Sequence, residues 1–297
     1  MLFNLLSLIH VSFGRTDIIL MLGVSAALFS FMPRFFGKKI AINIDGLEWR
    51  RAKWGKWVSV YLKMSERFAG VFCNEVIADS RVIQKYYQQS YGRKIHYIAY
   101  GAEIHDEPDK AVIHKYGLKK QNYILQVCRL EPENNPHFVI KEFEKVKTDM
   151  KLIILGDAPY SGEYIKSLKA NANGKVEFLG AIYGNDYREI RSKPYCYIHG
   201  HEVGGTNPAL LDAMGGGNCV LALDVPYNLE VIDGGEAGIS FSKKEGDLSR
   251  KLQEIIDNPE KMEKYKKKAK ERIKETYSWD RIVSQYEELF KMMSAKR

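Results

Sequence analysis

The run Gly204-Gly205-Thr206-Asn207-Pro208-Ala209-Leu210-Leu211-Asp212-Ala213-Met214 combines residue types that can seat a phosphate. It follows a short apolar stretch, Tyr195-Cys196-Tyr197-Ile198, and opens an apolar helical pattern. Its two glycines leave backbone amides uncovered. Thr206 or Asn207 can cap the helix, and Pro208 suits the first helical position. Unpaired N–H groups and the positive end of the helix dipole then converge on one spot, which favours an anion. Asp212 lies one turn past Pro208, within reach of a group attached to that anion. The chemistry indicated is recognition of a nucleotide diphosphate. The plain alternative is ordinary strand-to-helix geometry.

A second group lies in Val127-Cys128-Arg129-Leu130-Glu131-Pro132-Glu133-Asn134-Asn135. It puts Arg129 at the carboxyl end of an apolar strand, where open α/β sheets bind ligands. A guanidinium there can grip a diphosphate through two parallel charge-assisted bonds. An ion pair with Glu131 or Glu133 is its other use. A third group, Asp45-Gly46-Leu47-Glu48-Trp49-Arg50-Arg51, also follows a strand pattern. Asp45 or Glu48 can orient a hydroxyl. Trp49 or Trp54 can stack on a sugar ring, or with Trp57 anchor the helix that follows. Arg50, Arg51, Lys53 and Lys56 form a basic edge, either solvated or facing anionic lipid or a lipid pyrophosphate. There is no Asp-x-Asp motif, so the obvious Mg²⁺ route to neutralising a diphosphate is missing. No Ser-His-Asp set or zinc ligand set competes, and His199 and His201 read as strand-end and loop residues.

The elements that must position these groups alternate along the chain. Strand patterns fall at 18–22, 39–43, 75–78 and 95–98, then at 123–127, 152–155, 176–178, 195–199, 219–222 and 238–241. Several are continuous apolar runs, as expected for parallel strands covered on both faces. Helical patterns lie between them, at 58–68, 81–90, 136–145, 163–170 and 208–214, with further helices at 259–274 and 279–293. The pattern predicts an α/β protein with two doubly wound domains. Residues 18–36 are about one membrane span long, but they contain Gly23, Pro33 and Arg34 and divide into a strand and a helix over 25–32. They read as buried α/β elements rather than a transmembrane helix. The apolar Met1–Phe13 lacks a basic leader and a cleavage site, so it does not read as a signal peptide.

The chain has 297 residues and a net charge of +8, with 45% hydrophobic and 28% charged residues. That balance suits a globular protein with a full core. The positive excess fits a solvated surface, an anionic membrane or a nucleotide substrate better than nucleic acid. The basic 264–274 helix has no aromatic interleaving, so no nucleic-acid partner is expected. Cys73, Cys128, Cys196 and Cys219 form no CxxC pair and read as small buried apolar residues of a reducing compartment.

Arg129-Leu130, Leu155-Gly156-Asp157, Phe178-Leu179-Gly180 and Gly-Gly-Thr-Asn-Pro-x-Leu-Leu-Asp-Ala-Met follow successive strands. In that order they resemble the family 4 glycosyltransferases of the GT-B fold. Asp45–Trp54, Ala99–Glu103 and Gly200–Pro208 are similar to segments of the rhamnosyltransferase-like branch that builds bacterial surface polysaccharides (capsule, O-antigen, exopolysaccharide). The resemblance runs from about Ile40 onward. It implies two Rossmann-like domains facing a cleft: a partial acceptor domain at 1–103, a linker at 104–121, a nucleotide-sugar domain at 122–275, and a C-terminal helix at 276–297 returning towards the N-terminal domain. It implies a retaining, metal-independent transfer of a hexose or deoxyhexose, possibly rhamnose, from a nucleotide-diphosphate sugar to a lipid-linked saccharide. The place would be the cytoplasmic face of the cell membrane.

By the same resemblance Arg129, Gly180, Gly204, Gly205, Thr206, Asn207 and Asp212 would bind the donor. Asp212 would stand where relatives place the glutamate that bonds the ribose. The partner acid of that motif falls on Gly204, and His201 or Glu202 can take its role. Relatives place a lysine where Asn134 and Asn135 stand here. Asp45, Glu48 and Arg129 would be catalytic, with Trp49 and Arg51 on the acceptor side. No glycine-rich strand-loop precedes Asp17, so the resemblance implies an N-terminal domain entered at its third or fourth strand. The alternative function is an inactive nucleotide-binding or assembly subunit that pairs through its open sheet edge.

Overall fold

A computed structural model describes residues 2–51, 53–105, 112–159 and 161–295. Contacts divide the chain into two units. Unit 1 holds residues 1–100, Val203–Thr206 and Trp279–Arg297; unit 2 holds Gly101–Glu202 and Asn207–Ser278. Residues 106–111 of the expected linker lie outside the described residues, as do Ala52 of the Asp45–Trp54 segment and the last two residues of the expected C-terminal helix.

Unit 1 runs through α1 (Leu2–Ser12), β1 (Ile18–Leu22), α2 (Phe31–Phe35), β2 (Lys39–Asn43), α3 (Lys56–Phe72), β3 (Glu75–Ala78), α4 (Arg81–Tyr91) and β4 (His96–Tyr97). Its strands form a parallel sheet in sequential order, β1-β2-β3-β4. β2 and β3 are apolar and almost fully buried, whereas the edge strand β1 leaves Leu20 and Leu22 exposed. Ser80 caps α4 through a bond from the Ile83 amide, and left-handed Gly92 ends it. Where one helix was expected over 25–32, Gly23 at φ 81 leads into a 3₁₀ turn, Val24–Phe29, and α2 follows. The apolar α1 was not foreseen as a helix.

Unit 2 comprises α5 (Val112–Lys115), β5 (Tyr123–Val127), α6 (Pro136–Phe143), β6 (Lys151–Leu155), α7 (Gly162–Asn171), β7 (Val176–Gly180), α8 (Gly184–Ser192), β8 (Cys196–His199), α9 (Pro208–Gly215), β9 (Val220–Leu223), α10 (Pro226–Val231), β10 (Ile239–Phe241), α11 (Asp247–Asp257) and α12 (Pro259–Arg272). Its parallel sheet has the order β10-β9-β8-β5-β6-β7. The strand order reverses between β5 and β8, and open α/β sheets bind ligands at the carboxyl ends of such a pair. Ile124, Leu152, Ile154, Ile198, Leu221, Leu248 and Leu252 sit in one buried cluster that fixes these strand ends against the helices. All four cysteines are buried and unbridged, and burial raises the Cys128 thiol to about 12. The last helix, α13 (Trp279–Ala295), packs within unit 1, where Lys39 Nζ donates to the Met293 carbonyl at 2.7 Å. Among the described residues no helix is long and apolar enough to cross a membrane.

Candidate functional site

The residues around the unit 2 switch point hold one another in place. Arg129 follows β5 at its carboxyl end. Its guanidinium is half exposed and only 3.7 Å from Glu131, so this pair is loose and leaves donors turned to solvent. The peptide around it is rigid: Asn134 Nδ2 donates to the Arg129 carbonyl at 2.8 Å. Left-handed Asn135 (φ 55) reaches across to β8 and donates to the Gly200 carbonyl at 2.8 Å. Gly200 has no room for a side chain, since a Cβ there would lie 2.6 Å from the Asn134 carbonyl oxygen. The two asparagines that replace the expected lysine are thus buttresses that tie the β5 and β8 loops together.

At the end of β8 His199 is fully buried, and its ring stacks on His201 at 4.2 Å. Among the described residues neither ring nitrogen of His199 has a hydrogen-bond partner. Burial, reinforced by His201, drives its pKa well below 6.5, so it stays neutral at physiological pH. Glu202 is paired with Lys243 at 2.7 Å. Burial works against its charge, but bonds from Lys243 and Asn135 outweigh it and lower the carboxyl pKa.

Of the two possible caps, Asn207 caps α9: its Oδ1 accepts from the Ala209 amide at 2.9 Å. Asp212, one turn on, is engaged by Arg191 Nη1 at 2.5 Å. Arg191 is 4% exposed and Asp212 34%, so the carboxylate rests on a buried cation with its outer side open. Burial raises the Asp212 pKa, and Arg191 and His105 oppose the rise. Gly180 (φ 72) ends β7 at the sheet edge, two strands from the switch point, and accepts from the Gly156 amide at 2.8 Å. Gly156 has the stricter requirement: at φ 136 a Cβ would overlap the Cys128 carbonyl oxygen at 1.8 Å.

The chain of the opening motif divides at Thr206, since Val203–Thr206 packs with unit 1. There a Cβ on Gly205 would lie 2.1 Å from Asp79 Oδ1, and one on Gly46 would lie 2.8 Å from the Gly204 carbonyl carbon. Both glycines permit close backbone approach. The Thr206 hydroxyl, buried, donates to the Asp79 carbonyl at 2.6 Å. Asp45 sits beside this loop in a left-handed conformation (φ 42), its amide held by Asn43 and its carboxylate accepting from Tyr100 at 3.0 Å. Burial, with Asp45 and Asp79 nearby, raises the Tyr100 hydroxyl pKa, so this proton stays on the phenol. Asp79, fully buried, and Tyr100, partly buried, were not among the expected site residues.

Glu48 pairs with Arg51 at 2.7 Å. Trp49 is anchored: its Nε1 donates to Glu66 Oε2 at 3.0 Å, and Lys63 Nζ lies 4.3 Å from its ring centroid. Buried Glu66 also accepts from Tyr86 at 2.8 Å and Tyr91 at 2.7 Å. Nothing in the sequence marked Glu66, which reads there as one charge on an amphipathic helix. Among the described residues no three or more His, Cys, Asp or Glu side chains gather where they could hold a metal ion.

Comparison with known proteins agrees with this architecture. Residues 109–272 match the family described as glycosyl transferases group 1. Residues 17–103 match a domain of unknown function, DUF1972. An uncharacterized glycosyltransferase of Methanocaldococcus jannaschii is 26% identical over 234 residues, covering 73% of this chain and 58% of its own. The N-acetylgalactosamine-N,N'-diacetylbacillosaminyl-diphospho-undecaprenol 4-alpha-N-acetylgalactosaminyltransferase of Campylobacter jejuni is 26% identical over 158 residues, covering 52% of this chain and 43% of its own. The chain thus spans about half the length of these two relatives. Among solved structures, Anabaena HepE in complex with UDP superposes with a TM-score of 0.83 at 17% identity, over 97% of this chain and 82% of its own. Sucrose-phosphate synthase from Thermosynechococcus elongatus gives 0.82 at 17% identity, over 98% and 77%. These likenesses show the fold: two α/β Rossmann-like units of the GT-B type.

Proposed function

The chain belongs to the glycosyl transferases group 1 family, and we propose that it transfers a sugar from a nucleotide-diphosphate donor to a lipid-linked saccharide. The observation that carries this reading is the pair Arg129 and the Asn207-capped start of α9, set on the two strands that flank the unit 2 switch point. In the reaction the bond between the anomeric carbon and the diphosphate breaks, the acceptor hydroxyl oxygen bonds that carbon with configuration retained, and the hydroxyl proton passes to the departing diphosphate. Negative charge grows on the leaving diphosphate. Arg129 and the Asn207-capped start of α9 neutralise it without a metal, as preorganised donors do elsewhere. The open side of Asp212 takes a ribose hydroxyl while Arg191 holds its other oxygen. Gly180 shapes the neighbouring strand end.

Asp45, Glu48 and Arg51 orient the acceptor hydroxyl, and Trp49 sets their loop. Residues 1–103 act as the acceptor domain and 122–275 as the donor domain. The donor sugar is a hexose or deoxyhexose, with rhamnose the first to test. The lipid acceptor is supported by the Campylobacter jejuni relative, whose name specifies a diphospho-undecaprenol substrate, and by the outer face of α3. There a groove of about 720 Å³ is lined by Val60, Met64 and Val71 beside Lys63 and Arg67. Apolar and cationic groups on one helix face suit a peripheral seat on the anionic inner leaflet of the cell membrane.

The test is a screen by product mass, with uridine- and deoxythymidine-diphosphate sugars and an undecaprenyl-diphosphate saccharide. Arg129→Ala is expected to lower kcat/KM by about 30- to 1,000-fold, the ~2–4 kcal/mol of a lost anion-stabilising donor. Wild-type turnover by that variant would remove Arg129 from the mechanism. No transfer from any donor by the wild-type protein would overturn the catalytic reading.

A further inference from the structure

Unit 2 has a second concavity, of about 300 Å³, at the end of the sheet where the strands begin. Its lining includes Gln121, Pro194 and Asn218, each just before β5, β8 or β9. It is therefore remote from Arg129 and Asn207, which lie at the carboxyl ends. Lys266, Lys267 and Lys270 face it, and among the described lining residues Glu263 is the one carboxylate, which Lys266 already pairs at 2.9 Å. Lys193 also lines it but is buried and paired with Glu189 at 2.7 Å. Lys267 is well exposed and reaches Glu271 only at 3.9 Å.

Lys270 is the informative side chain. It lies half-buried across Gly217, where a Cβ would be 2.4 Å from its Cε, and Gly217 is itself left-handed at φ 71. Among the described residues it has no hydrogen-bond acceptor and no carboxylate partner. The α9 carboxyl end beside it carries about half a negative charge, and the Gly216, Gly217 and Asn218 amides are spent on closing that helix. The helix end is less than the surplus of ammonium groups here, and Lys270 donates to none of its carbonyls.

We infer that this pocket is an anion site for the phosphate groups of a phosphomonoester or diphosphate, held by Lys270 and Lys267 and distinct from the donor site. Lysines bind phosphate as point charges that can be supplied from several directions, and the cavity is at the small end of the range for compact ligands. The phosphate can come from a soluble metabolite or a lipid headgroup.

The probe is inorganic pyrophosphate, titrated calorimetrically at low salt into the full chain. Wild type is expected to show two classes of site. Arg129→Ala removes the donor class and retains the second. Lys267→Ala with Lys270→Ala weakens the second by roughly tenfold or more, the loss of charged hydrogen bonds, and Lys270→Arg restores it. Vesicles containing phosphatidate that displace pyrophosphate from Arg129→Ala identify a lipid source, and failure to displace identifies a soluble one. A second class that survives the double lysine substitution overturns the site. So does an Arg129→Ala protein that binds no pyrophosphate, and neither result depends on whether the chain transfers sugar.

Discussion

The two units solve the same packing problem to different degrees. Unit 2 winds helices over both faces of six parallel strands, and β8 and β9 are buried along their whole length. Unit 1 has four strands, and its edge strand β1 leaves Leu22 70% exposed. Among the described residues, the exposed large apolar side chains concentrate in unit 1, including Phe3, Phe13, Phe35, Trp57 and Met64; only Ile104 and Tyr183 belong to unit 2. Single exposed apolar residues are ordinary, and it is their uneven division between the units that sets unit 1 apart. The difference teaches that unit 2 is organised around its own core, with the proposed polar ligand site at its strand ends. Unit 1 buries its central strands but leaves a set of large apolar side chains open to solvent.

The sharpest way to break this comparison is to remove the same atoms from each sheet. Leu221→Ala, in the fully buried β9, is expected to cost about 2–5 kcal/mol. Leu22→Ala, on the open edge, is expected to fall within about 0.5 kcal/mol. Urea unfolding of both variants measures this. Equal losses would mean that the β1 edge is covered in solution.

What the sequence made legible follows the same division. β5, β6, β8 and β9 are short, largely apolar runs with a glycine, proline or asparagine within two residues of one end, so their position and the residues at their carboxyl ends could be read directly. Pro208 and Asn207 announced α9 through cap chemistry alone. α8 and α11 escaped because their surfaces are mostly charged and each buries a narrow stripe, Ile190 in one and Leu248, Leu252 and Ile255 in the other. The partners within the site were hidden for another reason. Arg191 and Asp212 are 21 positions apart and meet only after folding, as do Asp45 and Tyr100. Residue types show what a side chain can bond, and only tertiary structure shows what it does bond. The polar Asn134-Asn135 pair illustrates this: the family resemblance suggested a lost ligand contact, and the geometry makes the pair the clamp between two loops.

A smaller effect tests the charge side of unit 2. At the first turn of α11, Asp247 accepts from the Ser242 amide at 2.8 Å and from Lys251 at 3.0 Å, beside the positive end of the helix. Burial by itself would raise its pKa, but these bonds prevail and hold the carboxyl well below the usual range. A depressed folded-state pKa contributes stability above the unfolded value, about 3.9, and that contribution is lost as pH falls through the folded value. Asp247→Asn is therefore expected to be less stable than wild type at pH 7, with the gap closing below about pH 4. Denaturation midpoints at pH 7, 5 and 3 measure it. A gap that stays constant to the lowest pH would show that Asp247 acts by shape rather than charge.

The smallest expected effect on stability carries the most information about unit 1. Trp57 is 86% exposed at the start of α3, on the same helix as Val60, Lys63, Met64 and Arg67. Trp57→Ser removes little native burial, so urea unfolding is expected to change by no more than about 0.5 kcal/mol. If the face is held in water, nothing else should change either. If it seats on a bilayer, an indole that fits the headgroup boundary is lost. Co-sedimentation with anionic vesicles should then drop several-fold while neutral vesicles bind neither protein. Lys63→Glu and Arg67→Glu, on the same helix, should lower vesicle binding further and make the remainder insensitive to salt. Undiminished vesicle binding by Trp57→Ser would move the contact to another part of unit 1, with the exposed Phe31, Phe35 and Phe36 around α2 the next apolar group to remove.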